Sequence, residues 1–130
     1  MNFFFDTYAL FEIIKKNKNY APYIKSVGVV LTLLNLMELH YALLRTAGKE
    51  EANKHFDRLL PFIIDLSQEV VKEANEFKLL HKKRKLSYID CIGYVIARNM
   101  NILFLTGDNQ FKDLAGVEFV KWNFVRYNEM

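Results

Sequence analysis

Short apolar runs alternate with longer stretches of helical period along this chain. Residues 2–5 form a brief aromatic run stopped by Asp6, and over 8–18 the apolar Leu10, Ile13 and Ile14 recur at helical spacing. The segment 27–31 is β-branched and apolar, which predicts a strand covered on both faces. A helix is predicted over 33–46, with Gly48 just beyond its end, and a second over 49–60, closed by Pro61. Residues 62–64 are another short apolar run, and Asp65 and Ser67 stand as caps before a helix from 68 to about 82. A helix over 87–99 carries Ile89, Ile92, Val95 and Ile96 on one side. It precedes a strand at 102–105, a turn at 107–109 and a last strand at 117–120, while the tail from Lys121 predicts no element. Strands separated by helices imply a parallel sheet with helices on both faces. The expected fold is one three-layer α/β domain over residues 1–130, with about five short parallel strands.

Composition narrows the class. With 52% apolar and 15% aromatic residues, the chain has ample material to offset the entropy of ordering, so it is not disordered. Five Gly and two Pro are too few for a turn-rich β-sandwich. A single cysteine excludes a disulfide scaffold and a cysteine zinc site; Cys91, within an apolar stretch, is expected to be a small core hydrophobe. The N-terminus lacks a basic export region. The most apolar stretch, 27–44, carries Asn35, Glu38 and His40 at its centre, where a bilayer would penalise them. A soluble cytoplasmic protein without membrane contact is expected.

The net charge of +3 is unevenly spread. Residues 78–85 carry five of the eighteen Lys and Arg and no acid, which leaves thirteen basic against fifteen acidic residues elsewhere. One basic octet on a mildly acidic body suggests a local anion site; a solvated helix end is the alternative.

Ligands of such sheets bind outside the carboxyl ends of the strands. Asp6 and Asp108 follow predicted strands, and Asp90 opens the helix before the third of the clear strands. Each has a plainer explanation: Asp6 as a helix cap, Asp90 as the acid of a Ser87-x-x-Asp90 capping box, Asp108 as a turn former. Glu38 has none of these, because it lies mid-helix among apolar residues with Arg45 seven positions away. A buried carboxylate there needs a cation or a proton. Three Asp and one Glu are hard oxygen donors of the kind that suits Mg²⁺ or Mn²⁺. His40, His55 and His81 show no ligand spacing and are expected at the surface or in packing.

Four blocks carry a family resemblance: Phe5-Asp6-Thr7, Leu36-Met37-Glu38-Leu39, Leu86 to Gly93 around Ser87 and Asp90, and Phe104-Leu105-Thr106-Gly107-Asp108-Asn109-Gln110-Phe111. In this order they resemble PIN-domain proteins, specifically the VapC-type toxins of toxin–antitoxin pairs, over nearly the whole chain. The resemblance implies a parallel sheet of strand order 3-2-1-4-5 and a Mg²⁺- or Mn²⁺-dependent ribonuclease. Asp6, Glu38, Asp90 and Asp108 become its catalytic, metal-binding acids, with Glu38 joining the three Asp directly or through water. Thr106 matches a family hydroxyl position, as do Thr7 and Thr32 less strictly; Asn109 and Asp113 fall outside the motif. A VapB-type antitoxin and a homodimer are also implied. Lys82, Lys83, Arg84 and Lys85 are placed to hold an RNA backbone. Tyr88 and Phe111 lie near the site, with core packing the expected role of each. A PIN-like module that binds without cutting is the alternative, disfavoured by the presence of all four acids. A phosphoacceptor receiver domain lacks the adjacent acid pair it would need after the first strand.

Overall fold

Three consecutive phenylalanines set the middle of the molecule. In β1 (Asn2–Phe5) side chains alternate across the sheet, so Phe4 enters one apolar layer while Phe3 and Phe5 enter the other, all three buried. The structure, a computed structural model, describes residues 1–121; the tail beyond Lys121, for which the sequence predicts no element, lies outside them. β1 pairs in parallel with β2 (Gly28–Val30) on one side and β3 (Leu103–Thr106) on the other, and β3 pairs in parallel with β4 (Val117–Phe119). The sheet order is β2-β1-β3-β4.

Four strands form among the described residues, where about five were expected. The run 62–64 supplies a single parallel bridge, Leu31 to Ile63, in place of a strand. Leu60–Phe62 coil into a 3₁₀ turn containing Pro61, which has no N–H to give a ladder, and only Ile64 N–H reaches the Leu31 carbonyl, at 2.9 Å. With that bridge in the third position, the order agrees with the one the resemblance implied.

Helices α1 (Thr7–Ile14), α2 (Leu33–Thr46) and α3 (Lys49–Leu59) cover the Phe3 and Phe5 face through Leu10, Leu36, Leu39, Leu43 and Ala52. Helices α4 (Gln68–Leu80) and α5 (Tyr88–Asn99) cover the Phe4 face through Ala74, Phe77, Ile92 and Val95. α1 stops four residues short of the expected 18 because Lys16 turns left-handed, at φ 62°, before a 3₁₀ segment, Lys18–Tyr23. Of the two caps expected before α4, Ser67 acts, accepting from Val70 N–H at 3.1 Å. Cys91 is fully buried in the α5 core, and burial pushes its thiol up to about 11, so it behaves as a hydrophobe. No described helix is long and apolar enough to cross a membrane.

Candidate metal centre

All the strands run parallel, so their carboxyl ends share one edge of the sheet. Asp6 follows β1 directly and Asp108 follows β3 by two residues. α5 runs back against β3, which brings its first turn, with Asp90 as third residue, to the same edge; Glu38 sits in the second turn of α2.

Each aspartate fills the local role that its plainer explanation assigned. Asp6 Oδ1 accepts from Ala9 N–H at 2.8 Å and caps α1. Asp90 Oδ2 accepts from Ser87 N–H at 3.1 Å while Ser87 Oγ accepts from Asp90 N–H at 3.0 Å, a complete capping box. Asp108 Oδ1 accepts from Gln110 N–H at 2.9 Å and caps the 3₁₀ segment Asn109–Phe111. Capping does not account for where these carboxylates have been put.

Asp6 is 4% exposed, and burial first, with Asp90 and Asp108 adding repulsion, raises its carboxyl to about 7 against the opposing Thr106 and Ala9 hydrogen bonds. Burial likewise raises Asp90, opposed by its Ser87 bonds, with Asp108 adding to the rise. Glu38 is raised by burial against its Thr7 hydrogen bond, and Asp90 adds repulsion. The three aspartates therefore lie within one another's field, and Glu38 lies within that of Asp90. Among the described residues no Lys or Arg forms an ion pair with any of them; the ion pairs present join Glu12, Glu51, Asp113 and Glu73 to their cations instead.

Hydroxyls and one amide fix the geometry. The buried Thr106 hydroxyl accepts Asp108 N–H at 3.0 Å and opposes the rise of the Asp6 carboxyl, so one oxygen bears on two of the acids. Thr7 donates to Glu38 Oε1 at 2.6 Å and accepts from Asn35 Nδ2 at 3.3 Å; the Asn35 carbonyl accepts Thr32 N–H and Oγ1 at 3.0 and 2.8 Å. Asn35, buried and previously unassigned, thus orients Glu38 through Thr7. The Thr32-x-x-Asn35 spacing of a capping box was the available signal.

A divalent ion fits this donor set by chemistry: among the described residues the second oxygens of Glu38, Asp90 and Asp108 carry no hydrogen bond and, although the Lys78 charge acts on Asp90, no Lys or Arg forms an ion pair with the group. As the side chains stand, no three acidic, His or Cys groups among the described residues converge on one point. The electrostatic coupling and this open arrangement are compatible. Like charges resist closer approach, and Asp90 and Glu38 are held by solvent-accessible or half-buried hydrogen bonds that a side-chain rotation can exchange.

The basic loop after α4 divides in two. Lys82, Lys83 and Lys85 are exposed and form no ion pair among the described residues. Arg84 is committed within the molecule, donating to Gln110 O at 2.7 Å and to both Asp113 oxygens at 2.9 and 3.2 Å. Phe111 is fully buried, as expected, whereas Tyr88 is 66% exposed and not a core residue. His40 bonds Asn53, His55 meets Glu51 and Arg58, and His81 lies on the Phe77 ring, each in packing or at the surface.

The family model of the PIN domain matches residues 3–117, a span that contains all four acids and Thr106. The chain belongs to the PIN-domain family. Several solved structures share its fold. VapC20 of Mycobacterium tuberculosis, described as a sarcin–ricin loop cleaving toxin, is 18% identical, with a TM-score of 0.77 over 91% of this chain and 98% of that one. VapBC2 of Rickettsia felis, bound to a DNA fragment of its promoter, is 21% identical with a TM-score of 0.69 over 95% and 100%. A toxin–antitoxin complex from Klebsiella pneumoniae is 18% identical with a TM-score of 0.70 over 88% and 94%. No curated protein matches the chain in sequence. At these identities the likeness is one of PIN fold.

Proposed function

We propose that this PIN domain is a divalent-metal-dependent endoribonuclease, the toxin of a VapBC-type pair. The observation that carries the reading is a buried Asp6 coupled to Asp90 and Asp108 at the carboxyl edge of the sheet, with no Lys or Arg paired to any of them among the described residues. Asp6, Asp90 and Asp108 would hold a Mg²⁺ or Mn²⁺ ion, with Glu38 joining directly or through water. The bound ion supplies Lewis-acid stabilisation of the phosphodiester and an activated water. Asp6 is the fixed member, anchored by Ala9 and Thr106, while Thr106 holds the backbone of Asp108 and Thr7 orients Glu38. Lys82, Lys83 and Lys85 attract the RNA backbone. Purified protein should cut single-stranded RNA with Mn²⁺ or Mg²⁺, stop in EDTA and recover with excess metal. Undiminished cutting in EDTA overturns the metal role, and RNA binding without cutting at any metal concentration favours a non-cleaving module.

The partner reading draws on α2. Its inner side buries Leu36, Leu39 and Leu43, while Leu33, Met37, Tyr41 and Leu44 form an exposed apolar stripe, which explains why this helix is so rich in Leu and Met. We assign that stripe to the VapB-type antitoxin. The product of an adjacent small reading frame should co-purify with the wild type and not with Met37→Glu; equal co-purification of both removes the antitoxin from this face.

A further inference from the structure

We propose that Tyr88 is a stacking platform for an RNA base, braced from behind by Lys78, at the mouth of the acidic site. The proposal rests on the ribonuclease reading and assigns a substrate-positioning role within it. Tyr88 is the first residue of α5, and the Ser87 hydroxyl, accepting Asp90 N–H, caps the turn that carries it. Its ring is exposed, and its hydroxyl makes no hydrogen bond among the described residues, so no packing or polar contact accounts for the ring's placement. One cation does. The Lys78 ammonium sits 4.9 Å over the ring centroid and is itself held by a hydrogen bond to the Leu86 carbonyl. The lysine covers one face of a ring that is otherwise largely exposed.

The neighbourhood selects the occupant of that exposed ring. The charge of Lys78 reaches Asp90, which places ring, ammonium and acid within a single electrostatic range. Lys82, Lys83 and Lys85 rise from the loop between Lys78 and Tyr88, all exposed. An exposed aromatic ring backed by one lysine, preceded by a lysine-bearing loop and followed in the same turn by Asp90, suits a single-stranded polyanion with π-faced bases. A base laid on Tyr88 would hold the adjoining phosphodiester beside Asp90. An apolar protein segment would gain nothing from the lysines.

Cleavage kinetics of one single-stranded RNA oligonucleotide with Mn²⁺ test this, using wild type, Tyr88→Phe and Tyr88→Ala. The same oligonucleotide with one abasic ribose beside the cut site completes the comparison. Tyr88→Ala should raise KM for the intact RNA roughly 5- to 150-fold, the range of one lost base–aromatic stack, with little change in kcat. Tyr88→Phe should restore KM, and the abasic RNA should bind wild type and Tyr88→Ala equally weakly. Tyr88 is exposed, so the variants should fold, and a melting curve checks this. An unchanged KM in Tyr88→Ala overturns the proposal while leaving the ribonuclease reading intact, as does an unchanged KM joined to lost antitoxin binding, which would make Tyr88 a protein contact. Equal weakening on intact and abasic RNA also overturns it. A wild type that neither binds nor cuts RNA brings down both readings.

Discussion

Asp6→Asn should abolish RNA cleavage and, above neutral pH, make the protein harder to melt. Asn caps a helix about as well as Asp, so the bond from Ala9 N–H survives. What is lost is the charge, and cleavage should fall at least ~100-fold, as when one preorganised electrostatic group is removed from an active site. The stability gain follows from linkage. The Asp6 carboxyl lies near 7 in the fold against a usual 3.8, so the folded protein keeps a proton that the unfolded chain has already released. Stability therefore falls as pH rises from about 4 to about 7 and levels off above that, by something on the order of 4 kcal/mol. Asn is neutral throughout and removes that part of the slope. Glu38 and Asp90 are shifted in the same direction and leave a residual slope of the same sign. Melting temperatures from pH 4 to 8 decide the matter: parallel curves for wild type and variant would show that Asp6 carries no such burden.

Gly107→Ala should damage fold and activity together, though it adds one methyl group. A Cβ on Gly107 would stand 2.2 Å from the Tyr8 ring and 2.6 Å from the Val120 carbonyl oxygen. Tyr8 belongs to α1, and Val120 is tied to β3 by its N–H bond to Thr106 O at 2.8 Å, so neither side yields freely. Overpacking of this kind costs about 1–3 kcal/mol. The residue lies between Thr106 and Asp108, so relief of the clash displaces a proposed metal ligand, and a misplacement near 1 Å lowers turnover on the order of 100-fold. Wild-type melting temperature and turnover in the variant would show that the turn has room to spare.

Gly107 also shows where the sequence stops being informative. Its place in Gly-Asp-Asn reads as turn chemistry, yet its φ is not left-handed; the requirement is space against residues far away in the chain. Periodicity located the helices well because each buries a stripe against the sheet, and α2 matches its expected bounds. It overreached at 62–64, where Pro61 removes a donor, and at α1, where the left-handed Lys16 ends the helix without a glycine to announce it. The acids were legible as types at strand ends. Their double duty as caps and as a mutually repelling group was not, because coupling among Asp6, Asp90 and Asp108 is a property of the assembled edge. Arg84 was indistinguishable from its lysine neighbours in sequence; only the fold shows that its guanidinium is paired with Asp113.

That pairing gives Arg84 a mechanical meaning. An exposed ion pair adds little to stability, but a planar fork gripping two carboxylate oxygens and a main-chain carbonyl leaves little freedom of orientation. Lys85 N–H donates to the Gln110 side chain at 3.3 Å and closes a second stitch. The lysine-bearing loop and the segment that begins at Asp108 are thus stitched together at two neighbouring residues, Arg84 and Lys85. A pull on the lysines would therefore be felt at the segment that carries Asp108, one of the proposed metal ligands.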